Sequence, residues 1–124
     1  MDELLRDCLF PVMLGSNTAC HACVRRMEKY YGVGSTVLTG KRALTLRFLP
    51  FVTLVNAAPV LSDDVLLSLL SDIGDVGVGR VPLLVLCDDA YRAFVARNRE
   101  SLEARYILRD AETLLGEDEG YVTW

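Results

Sequence analysis

The chain has 124 residues, 52% of them hydrophobic and 24% charged, with a mean hydropathy of +0.28. That length fits one domain with a core of its own, and no apolar run reaches the ~20 residues of a membrane helix: the longest, FLPFVTLVNAAPVL, is interrupted by two prolines and an asparagine. The net charge of −4 divides into +3 over residues 1–60 and −7 over residues 61–124, and an acidic balance without a Lys/Arg stripe argues against nucleic acid as the main partner.

The opening MDELLRD is polar and acidic, unlike the basic start of a signal peptide. The expected location is therefore cytoplasmic, with no membrane partner. Residues 1–10 read as a lead-in segment. PVML (11–14) reads as a buried strand, and Gly15-Ser16-Asn17 as the turn after it, with Thr18 as helix N-cap. Cys20, Cys23, Val24, Met27 and Tyr31 then recur at helical spacing, with Arg25, Arg26, Glu28 and Lys29 on the other side and Gly32 as terminator. This periodicity predicts that both cysteines lie on the buried face.

GSTVLT (34–39) reads as a second strand, rich in β-branched residues. KRALTLRF (41–48) is ambiguous between a short helix and an irregular excursion. FVTLV (51–55) reads as a third strand. Ser62 caps the next helix, SDDVLLSLLSDI, with Asp63 and Asp64 in its first turn, where the helix dipole favours anions. Val65, Leu66, Leu69, Leu70 and Ile73 form its apolar face, and Gly74 is expected to end it. After the flexible DVGVGR comes VPLLVLC (81–87), a continuous apolar run suited to a central strand covered on both faces. A helix over roughly 89–104 places Tyr91, Phe94, Val95, Asn98 and Leu102 on one side. YIL (106–108) reads as one more strand, AETLLG as a stub of helix, and residues 117–124 as a polar tail. Residues 11–116 thus form one α/β domain with an open, mostly parallel sheet.

Such sheets hold ligands at the carboxyl ends of their strands. The candidate substrate-binding residues are accordingly Gly15, Ser16, Asn17, Thr18, Asp88 and Asp89. The turn lacks the GxGxxG pattern of a dinucleotide site, so its backbone N–H groups suggest a weaker contact with a carboxylate or phosphate. Asp88-Asp89 either contacts magnesium or an amine, or caps the helix beginning there. Cys20-His21-Ala22-Cys23 at a helix start has the spacing of a dithiol redox site. The same cysteines share an apolar face with Val24 and Met27, and no second ligand pair completes a zinc site. His21, the single histidine, reads as half exposed.

The segment CDDAYRAFVARNRESLEARYIL, taken with VMLGSNTACHACVRRMEKYYG and TGKRALTLRF, resembles the N-terminal preATP-grasp domain of ATP-grasp ligases. The likeness is to carbamoyl-phosphate synthase large subunits and D-aspartate-ligase-like carboxylate–amine ligases, over residues 11–109. It implies a three-layer Rossmann-like fold forming one wall of an acceptor-substrate site. It further implies a full-length enzyme that phosphorylates a carboxylate with ATP and Mg2+ before an amine attacks the acyl phosphate. The domain would hold no cofactor itself and would be incomplete alone. Its expected partners are downstream ATP-grasp domains of the same chain and a small carboxylate or amine substrate. Cys20 and Cys23 stand where the family would carry alanine, glycine or valine. The apolar stretch LTLRFLPFVTLVNAAPVL fits a face meant for neighbouring domains, through which the isolated chain would self-associate. The alternative from a different class is a thioredoxin-like dithiol protein using Cys20 and Cys23.

Overall fold

The computed structural model describes residues 9–15, 17–40, 50–56, 62–77 and 79–115. Strand β1 (Leu9–Leu14) leads into helix α1 (Thr18–Arg26), whose last turn (Met27–Tyr31) widens into a π-helix. Strands β2 (Ser35–Thr39) and β3 (Val52–Asn56) follow, then α2 (Asp63–Val76) and β4 (Val81–Leu86). Two helices, α3 (Asp89–Arg97) and α4 (Arg99–Glu103), precede β5 (Ile107–Asp110) and α5 (Ala111–Leu115). All five strands run parallel in the order β3-β2-β1-β4-β5.

Strand alternation divides the interior into two layers. Leu9 and Met13 of β1, with Val37, Leu83 and Val85, meet Cys20, Cys23, Val24, Met27 and Tyr31 of α1 and Ala111 of α5. Val12 and Leu14, with Leu38 and Leu84, meet Leu66 and Leu70 of α2, Tyr91, Phe94 and Val95 of α3, and Leu102 of α4. The fold is therefore a three-layer, Rossmann-like open parallel sheet. Among the described residues no helix is long and apolar enough to cross a membrane.

Two prolines lie inside the central strands, where a missing N–H would normally break the ladder. Their positions explain why they are tolerated. Gly15 N–H donates to Leu38 O of β2, so the two-residue alternation turns the Pro11 nitrogen toward β2 as well. Pairing with β2 begins only at Val12. Likewise Cys87 N–H donates to Leu14 O of β1, which turns the Pro82 nitrogen toward β5, and that pairing begins only at Leu83. Each proline sits one residue before pairing with that neighbouring strand begins.

Several boundaries differ from the sequence expectation. The N-cap of α1 is Asn17, not Thr18: extended at ψ −175°, it accepts the Cys20 N–H on its side chain. Helix α2 runs through Gly74 to Val76 and closes on Gly77. Gly74 is there for space, since a Cβ would sit 3.3 Å from both the Arg105 Nη2 and the Tyr106 hydroxyl. Val65, assigned to the apolar face, is 45% exposed. The helix expected over 89–104 breaks at Asn98, whose backbone leaves helical geometry (φ −123°, ψ 23°). Its Nδ2 donates to Asp63 Oδ2 at 2.8 Å and to Phe94 O at 3.0 Å. The last strand covers Ile107–Asp110 rather than 106–108. Strand β1 begins at Leu9, inside the segment 1–10 read as a lead-in and two residues before the expected strand 11–14. Residues 1–8 of that segment, the ambiguous KRALTLRF, Ser16 and the tail 117–124 lie outside the described residues.

Candidate functional site

The strand order reverses direction at β1 and β4: the chain winds outward from β1 through β2 to β3, then returns to β4 and continues to β5. Loops leaving β1 and β4 therefore diverge to opposite faces and open a crevice at their carboxyl ends. Gly15 and Asp88 face each other across it. Gly15 takes φ +123°, and a Cβ built on it would lie 2.7 Å from the Asp88 Cβ. Glycine is thus required twice over, by conformation and by close approach. Leu14 O accepts the N–H groups of both Cys87 and Asp88 at 3.1 and 3.2 Å, which locks the two loops at the same height.

Asn17 ties the two sides together. Its Oδ1 accepts Cys20 N–H at 3.0 Å, capping α1, while its Nδ2 donates to Cys87 O at 2.7 Å. A residue read as part of a ligand turn is thus also a structural bracket, and Thr18, exposed beside it, is the first helical residue.

Asp88 and Asp89 part company. Asp88 precedes α3, its carbonyl accepting the Tyr91 and Arg92 N–H groups at 3.1 and 3.2 Å. Its carboxylate lies near the Tyr91 phenol. Burial chiefly, and then the Asp88 charge, push that phenol's pKa up against the opposing hydrogen bond with the Gly40 backbone. Tyr91 is 2% exposed, so the phenol remains protonated at the edge of the crevice, between the loops that follow β2 and β4. Asp89 instead turns toward β5, its Oδ1 2.5 Å from Arg92 Nη1.

Arg92 organises that outer half of the rim. Its Nε and Nη2 grip both Asp110 oxygens at 2.9 and 3.1 Å, and Nη2 reaches Leu86 O at 3.4 Å. The Arg92 guanidinium holds the Asp110 carboxyl below the usual carboxylate range, and Asp110 in turn raises the arginine. Arg92 thus joins the ends of β4 and β5 to α3 as a forked, two-point pair. Sequence reasoning missed both Arg92 and the polar end of Tyr91. Their only signal was the i+3 and i+4 spacing from Asp88, which marks residues turning back over the helix start.

Beneath the crevice floor lie Cys20, Cys23 and Cys87, all free and 0, 1 and 2% exposed. The inward placement of the two α1 cysteines is as the helical spacing predicts. Cys87, immediately after β4, hydrogen-bonds with the Cys20 and Cys23 thiols, and these contacts, with burial, push its own thiol up. Cys23 Sγ additionally lies 4.0 Å from Ala111 O. Among the described residues no group of three or more His, Cys, Asp or Glu side chains is arranged to hold a metal ion.

The crevice can therefore present the Asp88 carboxylate and the start of α1 to a small polar ligand, with the buried Tyr91 phenol behind them. Its described side chains place the Asp88 carboxylate nearest the β1–β4 junction and the paired Arg92, Asp89 and Asp110 farther toward β5. Comparison with protein-family models, with curated proteins and with solved structures finds no match.

Proposed function

We propose that this chain is a small-molecule-binding α/β domain serving as the substrate side of an ATP-dependent carboxylate–amine ligase. The observation that carries the binding reading is the reversal of strand order at β1 and β4, with Gly15 and Asp88 facing each other across the opening. The ligase identity rests on the preATP-grasp resemblance of residues 11–109. In this reading the Asp88 carboxylate meets the amine substrate, with the buried Tyr91 phenol packed behind it. A carboxylate next to a neutral phenol suits an ammonium or amino group, whereas a carboxylate ligand would meet like charge. Asn17 and Gly15 hold the crevice open by fixing the two loops. ATP and Mg2+ would be held by downstream domains of the same polypeptide, and the acyl phosphate would form there. The dithiol alternative is not taken further, because both sulfur-bearing residues of the Cys20–Cys23 pair are buried and an exchange partner must reach sulfur.

Two measurements test this. Amide chemical shifts of the isolated chain, titrated with small amines and amino acids, should move at Gly15, Asn17, Gly40 and Asp88, and not at the opposite edge of the sheet. In protein carrying the downstream domains, ADP release should require both a carboxylate and an amine. Amine-induced shifts without any such ADP release would retain the binding reading and overturn the ligase one.

A further inference from the structure

The layer beneath the crevice holds three nucleophilic groups that ligand binding leaves unused. Cys20 and Cys23 come from α1 and Cys87 from the loop after β4; all are free and share one apolar cluster with Met13, Val24, Val85 and Ala111. The Cys87 thiol hydrogen-bonds with both α1 thiols. Small hydrophobic side chains of any kind would satisfy the packing. Thiols in contact add a chemistry that such side chains lack, because two of them can be oxidised to a single bond.

A second observation selects the pair. The Asn17 side chain brackets the backbones of Cys20 and Cys87, its Oδ1 accepting the Cys20 N–H at 3.0 Å and its Nδ2 donating to Cys87 O at 2.7 Å. Both bonds end on one carboxamide, so the main chain at residue 20 is held beside that at residue 87 while their thiols meet. A disulfide needs this combination of close backbones and converging sulfurs. Cys23, one turn further along α1, is turned instead toward α5, its Sγ 4.0 Å from Ala111 O.

We propose that a peroxide converts Cys20 and Cys87 into a reversible disulfide, so that the two walls of the crevice, held by hydrogen bonds in the reduced protein, become joined covalently. One sulfur attacks the peroxide O–O bond, giving a sulfenic acid and one water. The other thiol then attacks that sulfur, forming the S–S bond and releasing a second water. Two thiols and one hydrogen peroxide thus yield one disulfide and two waters, and a dithiol reductant reverses the step. Cys20 is 0% and Cys87 2% exposed, so the oxidant enters when the loops after β1 and β4 part locally. That parting breaks the two Asn17 bonds and the Cys87 and Asp88 N–H bonds to Leu14 O, and leaves the rest of the sheet intact. A peroxide is small enough to enter through such an opening, whereas a partner protein's thiol is not. The disulfide forms whatever ligand the crevice takes, so it is independent of the ligase reading.

Hydrogen peroxide added to the folded wild-type chain, followed by alkylation and fragment mass mapping, tests the pairing. The product should lose the mass of two hydrogens, link Cys20 to Cys87, leave Cys23 open to alkylation and return to the starting mass with dithiothreitol. The amides of Cys20, Cys87 and Asp88 should then exchange at least ~10-fold more slowly, since the bond suppresses local opening. Asn17→Ala should form the bond severalfold faster, because fewer contacts hold the loops together, and Cys87→Ala should form no internal disulfide. Three results would overturn the proposal. They are a bond that involves Cys23 in the wild-type chain, an internal disulfide that persists in a folded Cys87→Ala variant, or an oxidation rate that rises with urea as steeply as global unfolding does.

Discussion

Replacing Gly15 by alanine tests the junction on which the candidate site depends. The φ of +123° is one that L-residues rarely adopt, and holding a side chain there costs ~1–3 kcal/mol. The added Cβ would also stand 2.7 Å from the Asp88 Cβ and 3.3 Å from its backbone nitrogen. Both atoms are anchored to backbone that is pinned by Leu14 O, so relief requires moving a loop, at ~1–3 kcal/mol. The smaller unfolded-state entropy of alanine returns only ~0.5 kcal/mol. The net loss is therefore about 2–5 kcal/mol. With an unfolding entropy of roughly 0.26 kcal/mol/K for a chain of this length, a mid-range loss lowers Tm by about 10–15 °C. Urea unfolding followed by circular dichroism measures the free energy directly. The two contributions separate in double variants. Asp88→Gly removes the opposing Cβ and should cut the cost of Gly15→Ala by about half, whereas Asp88→Ala keeps that Cβ and should give no relief. A loss under ~1 kcal/mol for Gly15→Ala, or equal losses in both backgrounds, would refute the close-approach argument.

Asn17→Ala removes both the α1 cap and the bond to Cys87 O and should cost about 1–2 kcal/mol. Asn17→Asp keeps an acceptor but loses the Nδ2 donor, so it should recover only part of that in the same urea titration. Tyr106→Phe removes the 2.7 Å bond to Leu70 O, worth about 1 kcal/mol. Because burial pushes this phenol up to about 12 from 10, the unfolded chain ionises first. Wild-type stability should therefore decline as pH rises through 10 to 12, and the phenylalanine variant should decline less. At the acid end, hydrogen bonds from Arg97 and then Asn98 hold Asp63 at about 2 rather than 3.8. Its contribution is complete above about pH 4 and is lost as pH falls toward 2, so Asp63→Asn should flatten that limb of the stability curve. Arg92→Lys keeps the charge but not the forked grip on Asp110, and amide exchange in β5 should accelerate severalfold relative to β1; an unchanged β5 would show the fork to be dispensable.

Much of the architecture follows from local pattern. The apolar runs around PVML, FVTLV and VPLLVL are each followed by a segment of helical period, and strands alternating with helices favour parallel pairing with helices on both faces. The inward turn of Cys20 and Cys23 likewise follows from their spacing with Val24, Met27 and Tyr31, since helical period fixes which residues share a face. What the pattern could not supply is how far each element runs. Gly74 looks like a helix terminator in sequence, yet it is a packing gap opposite Arg105 and Tyr106. Asn98 looks like a helical interior residue, yet its amide is drawn to Asp63, 35 positions earlier.

The site divides in the same way. Sequence determined that a glycine-bearing turn and an aspartate pair end two apolar strands, because strand and helix periodicities place them at boundaries. Only the tertiary structure decided that those two strands are neighbours, that Asp88 turns to Gly15 and Tyr91 while Asp89 turns to Arg92, and that Cys87 joins the thiols of α1. Local periodicity fixes the face on which a side chain lies. Which distant element meets that face depends on strand order, and strand order is set by the burial of two layers at once rather than by any stretch of neighbouring residues.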